Sequence, residues 1–507
     1  MPEFDAKILP ARHQRSGGPQ KVRRAASQVI LWCQRRRWPI PSPLRRLAGR
    51  LLVRSIKSAT FVEDWSVPLI SGRASLVEQR YRGTEPRSAV SGRLVSRVLL
   101  EPEGRKKNRD TKPRLKCAIA TGALDVGGLD RMVAVLGRLL PEFGIDVTIL
   151  YPTSSIDFAG AGEHLADTLR REGVTVIKVS ERDVRAWFAA DPPNVVSAHG
   201  APKWMIEAAS SAGVPIVETL HGAHSLFRRD SWSAERLRSR NIDGIVAVSQ
   251  MVARQYRQAI PDYPVDRIAV IPNGIDEQYI VRSDRLQARA WLGLRDEFLF
   301  VSMARYHLQK NPFGLVSAFV DVARSFPNAH LLVAGQIHDV SYYEQIRRLR
   351  DQSGCAAQIH LRDHCMAASD VLAAADAFAL NSFFEGWPLA PMEALFAGIP
   401  VVMSEVGGAV EIVGEDDKRG CVVPNPLGDP EKMDWEMMSR LRFAPQGNRR
   451  ALVEAMSRVV VQGEHWRRIR EDLRAESVVR FSAERCVAAH ADLLKRTSSM
   501  KRLRAVA

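Results

Sequence analysis

The chain has 507 residues, 46% of them hydrophobic, and a formal net charge of +16. That length suggests two or three domains, and no run approaches the roughly 18 apolar residues of a membrane span. Residues 1–112 hold 25 Lys and Arg against 9 Asp and Glu, and residues 113–507 hold 48 of each, so a main body that binds nucleic acid lacks electrostatic support. The six cysteines (Cys33, Cys117, Cys355, Cys365, Cys421, Cys486) are scattered and form no CxxC pair. They point to a reducing compartment and against a structural zinc.

In chain order, residues 1–112 read as a basic extension. Ser16-Gly17-Gly18-Pro19 and residues 37–43 are rich in breakers. Two basic amphipathic stretches stand out, residues 25–38 and 43–57. The second sets Leu44, Leu47, Leu51 and Ile56 at helical spacing, with Arg46, Arg50, Arg54 and Lys57 opposite. A helix lying on anionic lipid fits this pattern, and so does a disordered or locally packed basic arm. The apolar run Val29–Trp32 is too short for a secretory signal. A chain beginning near Lys112 is expected to stay folded, because the regular pattern starts after it.

From Lys116 on, apolar strands alternate with helices. Strands are predicted at 116–120, 146–151, 174–179, 194–198, 215–220, 244–248 and 267–271. This is the pattern of a doubly wound α/β domain. Asn273-Gly274 reads as an ordinary turn, and residues 277–295 as a linker plus a helix. A second set follows at 298–303, 330–334, 358–361, 376–380 and 400–403. From about Asp429 the chain is largely helical, with a loop at 444–448 and a basic tail at 501–504. The expected organisation is a basic extension (1–112), one Rossmann-like domain (113–280, joined by a returning helix at 481–497) and a second (281–480). A cleft lies between the two α/β domains.

Ligands in such sheets bind beyond the carboxyl ends of the strands. Glu385 follows the strand at 376–380, and Glu393 lies in the first turns of the next helix, across Gly386-Trp387-Pro388-Leu389. Two such carboxylates can accept from sugar hydroxyls, while loop amides and a helix N-terminus can hold phosphate. Taken alone, a solvated Glu and a helix-end Glu describe them equally well. Arg305 and Lys310 share one strand-end loop and suit a diphosphate. Gly127-Gly128 opens a helix after the first strand. The spacing is not GxGxxG, and a tight turn is the plainer reading. His221 follows the strand at 215–220, with Gly222 leaving room for a ligand to approach. His199 and His224 read as structural. No DxD pair stands at a strand end, Glu415-Asp416-Asp417 reads as a solvated loop, and no Ser-His-Asp arrangement is present.

Together these residues resemble the retaining glycosyltransferases of family 4, which have the GT-B fold. The matching stretches are ALDVGGLDRM, ETLHG, GIVAVSQ, IAVIPNGID, SMARYHLQKNP, HLLVAG, NSFFEGWPLAPMEALFAGIPVV and SEVGGAVEIV followed by GCVVP. They run in family order across roughly residues 116–424, and residues 1–112 lie outside them. The resemblance implies that Arg305 and Lys310 bind the donor diphosphate. Glu385 would contact donor-sugar hydroxyls, with the backbone of Gly386, Trp387 and Leu389 nearby. Glu393 would bond the ribose, Gly128 would touch the donor or the reacting centre, and His221 would contact the transferred sugar. Pro388 has no amide N–H to offer where relatives carry Gly.

The implied partners are a nucleotide-sugar donor, which is a co-substrate, and a glycan or lipid-linked acceptor. No metal or other cofactor is required, and no nucleic acid is expected. The implied location is cytoplasmic, with an anionic membrane surface as a possible peripheral partner. A sugar-nucleotide epimerase of the same architecture is one alternative and a non-catalytic membrane-associated scaffold another. The E-x7-E pair with Arg305 and Lys310 argues against the first, and the intact set of four against the second.

Overall fold

The computed structural model describes residues 65, 68–70, 114–124, 127–153, 162–222, 232–276, 283–363 and 367–499. The amphipathic stretches 25–38 and 43–57, the tail 501–504, and His224 lie outside them.

Two all-parallel sheets carry the fold. The first joins β1 (Leu115–Thr121), β2 (Ile145–Pro152), β3 (Thr175–Val179), β4 (Val195–His199), β5 (Ile216–Leu220), β6 (Gly244–Ala247) and β7 (Ile268–Val270). Their order is β3-β2-β1-β4-β5-β6-β7. The second joins β8 (Phe298–Met303), β9 (Ala329–Ala334), β10 (Ile359–Arg362), β11 (Ala377–Leu380), β12 (Val401–Ser404) and β13 (Gly420–Val423), in the order β10-β9-β8-β11-β12-β13. This is the α/β GT-B architecture. Helices cover the sheets, so the strands are continuous apolar runs rather than alternating ones. β4, β5, β9, β11 and β12 are buried at every position.

Each sheet reverses its direction of growth once, between β1 and β4 in the first and between β8 and β11 in the second. The crevice at such a switch point is where open α/β sheets bind ligands. Thr121 is registered with His199 at the end of the first pair. Beyond them Gly122 sits so close to Gly200 that a Cβ would meet its carbonyl oxygen at 2.6 Å. A side chain there would prise the two loops apart.

The predicted strands are all present, with ends shifted by a residue or two, and β13 is additional. It opens at Gly420, φ +128°, where a Cβ would run into the backbone of Val401.

Asn273-Gly274 is not an ordinary turn. A Cβ on Gly274 would lie 2.6 Å from Ala483 Cα, and Ile275 N–H donates to Phe481 O at 2.8 Å. Here the C-terminal helix Ala483–Ser498 crosses back. Its Val487, Ala491 and Leu494 join Val133, Leu136 and Ile149 in the core of the first sheet. The crossing needs a residue without a side chain, which local sequence does not reveal.

The extension boundary at 112 also needs correction. Trp65 stacks on Trp291 of helix Arg285–Trp291, with ring centroids 5.7 Å apart. Leu69 is buried, and its N–H donates to Leu292 O at 2.9 Å. These residues belong to the packed body. No local pattern signals it, because four residues form no period. No helix among the described residues is long and apolar enough to cross a membrane.

Candidate active site

Lys310 is aimed by a compact turn. His307 accepts from Gln309 N–H and starts the 3-10 turn Leu308–Lys310. Asn311 then takes φ +49°, a left-handed conformation that Asn tolerates better than most residues. Its side chain caps helix Pro312–Ser325 by accepting from Gly314 N–H, with Pro312 at the first helical position. Asn311 Nδ2 also donates to Asn381 O at 2.9 Å, so the loop after β8 is fastened to the exit of β11.

That fastening brings Lys310 to Glu385. Lys310 Nζ lies 2.6 Å from Glu385 Oε1. Ser382 Oγ donates to the same oxygen at 2.7 Å, and Gln309 Nε2 reaches Oε2 at 3.4 Å. Glu385 is only 7% exposed. Arg305 is exposed, and its guanidinium makes no hydrogen bond or ion pair among the described residues, so it is available for a ligand. Ser382 and Gln309 were missed by sequence reasoning. Their only signal was adjacency, Gln309 beside Lys310 and Ser382 three residues before Glu385.

Glu393 lies in the second turn of helix Leu389–Phe396, whose N-cap is Pro388. It is partly buried and pairs across the cleft with Arg131. Arg131 stands in the first turn of helix Gly128–Leu139. It too was missed, although it stands three residues after the Gly-Gly pair. The helix start is tied off by Asp130 Oδ2, which accepts from Gly127 N–H at 3.1 Å.

At Gly386 the cleft closes through a contact that only glycine permits. A Cβ on Gly386 would overlap the carbonyl oxygen of His221, so the loop holding Glu385 rests on the end of β5. Gly128 faces Leu389, whose Cδ1 would be 3.5 Å from an added Cβ. Gly408 N–H donates to Gly386 O at 2.9 Å. On the far side Glu411 accepts from Gln250 N–H at 2.8 Å, and Glu431 accepts from Arg254 at 2.9 Å. Trp387 is buried, with its indole N–H 2.9 Å from Met392 Sδ. Only its backbone remains for a ligand.

The structure therefore brings Gly128, His221, Glu385, Gly386, Leu389 and Glu393 to one cleft, with Lys310 bound to Glu385. His221 is turned inward. Its Nε2 lies 2.9 Å from His199 Nδ1, and burial, helped by the nearby His490, pushes its pKa down to about 3. It is a neutral imidazole at physiological pH.

A family model described as "Glycosyltransferase Family 4" matches residues 126–279, and one described as "Glycosyl transferases group 1" matches residues 284–469. The chain belongs to glycosyltransferase family 4. The transferase is 28% identical over 258 residues to the D-inositol 3-phosphate glycosyltransferase of Segniliparus rotundus, spanning 48% of this chain and 56% of that protein. It is 26% identical over 301 residues to the GDP-mannose-dependent monoacylated alpha-(1-6)-phosphatidylinositol monomannoside mannosyltransferase of Corynebacterium glutamicum, spanning 56% and 74% of the two chains. Among solved structures, Anabaena Alr3699/HepE in complex with UDP-glucose superposes with a TM-score of 0.61 at 16% identity, covering 76% of the transferase and 100% of that chain. At that identity the match speaks for the GT-B fold.

Proposed function

We propose that the transferase moves a hexose-type sugar from a nucleotide-sugar donor to a glycan or lipid-linked acceptor, with retention of anomeric configuration. The observation that carries this reading is the meeting of Lys310 and Glu385, 2.6 Å apart, at the switch point of the second sheet. A cation and a sugar-binding carboxylate so close suit the junction between a diphosphate and its hexose. Arg305, free in the same loop, supplies the second cation. Glu393 takes the ribose hydroxyls once it exchanges Arg131 for the donor.

In the proposed transfer the bond from the sugar's anomeric carbon to the diphosphate oxygen breaks, and both electrons leave with the diphosphate. Arg305 and Lys310 offset the charge that grows there, so the step calls on no metal. The acceptor oxygen bonds to the anomeric carbon on the face the diphosphate leaves. Its proton passes to the departing diphosphate oxygen. The name of the Corynebacterium glutamicum relative supports an acceptor in glycolipid synthesis. The basic surplus of residues 1–112 supports a place on the cytoplasmic face of an anionic membrane.

A thermal-shift screen of UDP-, GDP-, ADP- and dTDP-sugars in EDTA tests the reading. A donor at 100-fold its Kd stabilises by about 2.7 kcal/mol, so one nucleotide class should raise Tm without metal. Proton NMR of the product should then show the donor's anomeric configuration. No shift with any sugar nucleotide overturns the donor assignment, and an inverted product overturns retention.

A further inference from the structure

Three histidines meet behind the cleft. His199 ends β4, His221 follows β5, and His490 lies on the returning helix Ala483–Ser498. His199 Nδ1 is 2.9 Å from His221 Nε2, and His199 Nε2 is 3.0 Å from Ser197 Oγ. The rings of His199 and His490 are 6.3 Å apart. Ser197 and His199 are fully buried.

We propose that His199 is a positioning residue which, with Ser197, fixes His221 as the tautomer carrying its proton on Nδ1. The inference rests on the reading that His221 faces the transferred sugar. The chain Ser197–His199–His221 can be protonated in two ways. In one, Ser197 donates to His199 Nε2, His199 Nδ1–H donates to His221 Nε2, and His221 keeps its own proton on Nδ1. In the other every bond reverses. His199 Nε2–H then donates to Ser197, and the serine hydroxyl hydrogen needs a second acceptor. Among the described residues Ser197 Oγ has no hydrogen-bond partner except His199. A fully buried hydroxyl without an acceptor is costly, so the first arrangement prevails.

Function follows from that choice. The remaining nitrogen of His221 makes no hydrogen bond among the described residues. As Nδ1–H it is a neutral donor that can bond a hydroxyl oxygen of the sugar, and it cannot act as a base there. Burial keeps both imidazoles uncharged, so the donor role holds across the physiological range. Selection then falls on sugars that present a hydroxyl oxygen, as acceptor, at that point. A deoxy sugar there leaves the buried donor unmet.

The experiment uses the full chain with ring-15N histidine, assigned with His221→Phe. Long-range 1H–15N NMR at pH 7.5 should show His221 as the Nδ1–H tautomer. Ser197→Ala should erode that preference and lower kcat about 10- to 100-fold, by analogy with partners that orient a metal-bound histidine, while leaving donor affinity in place. Ser197→Thr should restore both. An Nε2–H tautomer for His221 in the unmodified protein overturns the proposal, as does an unchanged tautomer in Ser197→Ala. The NMR result is independent of turnover. If His221→Phe retains full activity, the sugar-facing reading of His221 falls while the tautomer assignment is still decided.

Discussion

Lys310 Nζ and Glu385 Oε1 stand 2.6 Å apart, joining the loops after β8 and β11. The pair is largely buried, with side chains 18% and 7% exposed. Each partner therefore supports the other's charge before any donor arrives, whereas Arg305 has no such duty.

That difference separates two variants that sequence alone would equate. Lys310→Ala and Arg305→Ala should each lower kcat/KM by about 10²–10³-fold, by analogy with a lost oxyanion donor. Lys310→Ala should also lose about 1–3 kcal/mol of stability, because Glu385 is left partly unsatisfied. Arg305→Ala should leave Tm unchanged. Steady-state kinetics and thermal melts check both, and unaltered kcat/KM in the two variants would remove the diphosphate assignment.

Glu393 is held by Arg131 in the donor-free protein, but Arg131 is half exposed, and such pairs contribute only about 0–1 kcal/mol. The donor can displace it cheaply. Glu393→Gln should mainly weaken donor binding, since an amide accepts without the full charge. Glu385→Gln should mainly lower turnover, because it also faces Lys310 and Ser382. Arg131→Ala should tighten the donor Kd by no more than about fivefold, the most that a pair of that strength can withhold. Calorimetric titration beside kcat separates these. Should Glu393→Gln spare affinity and abolish turnover, the two glutamates exchange roles.

The histidine cluster makes stability depend on pH. An unfolded His titrates near 6.5. In the folded protein burial lowers His221 to about 3, His490 to about 4, and His199 well below its ordinary value. Glu218 on β5 pulls His221 upward, but it is bound to Arg238 and does not prevail. Their contribution is complete above pH 6.5. Below it the unfolded chain takes up protons that the folded chain refuses, so stability falls as pH drops from about 6.5 toward 4. Each such group steepens the fall by up to about 1.4 kcal/mol per pH unit. His490→Leu should flatten the profile of urea midpoints between pH 7.5 and 5. An equally steep profile in that variant would count against the cluster as its source.

Trp65 and Leu69 set a packed stretch apart from the basic residues before it. Residues 1–62 carry 14 Lys and Arg against 2 Asp and Glu, whereas Trp65, Pro68 and Leu69 pack around Trp291, Leu292 and Gly293. A chain starting at Glu63 should match the full protein in Tm. A chain starting at Lys112 should lose about 2–4 kcal/mol, the value of one buried leucine and one aromatic pair. Liposome co-sedimentation tests the proposed membrane contact of residues 1–62. The Glu63 chain should lose salt-sensitive binding to anionic vesicles that the full chain retains. Equal binding by both would place the lipid contact elsewhere.

The sequence by itself determined the two parallel sheets, because strands buried on both faces must be apolar runs between helices, and that pattern is local. It also pointed to the loops that carry the proposed site. Arg305, Lys310, Glu385 and His221 all follow strand ends, and parallel strands deliver those ends to one side. Tertiary structure decided what those residues touch. Nothing local links Lys310 to Glu385, 75 positions away, or Arg131 to Glu393, 262 positions away. Those pairs depend on strand order and on the closing of one sheet upon the other. The same holds for Gly274, whose missing side chain matters only because Ala483 returns to it, and for Trp65, which has meaning only against Trp291. His199 shows the limit most plainly. It read as a structural histidine, and only the register of β4 beside β5 placed its ring against His221.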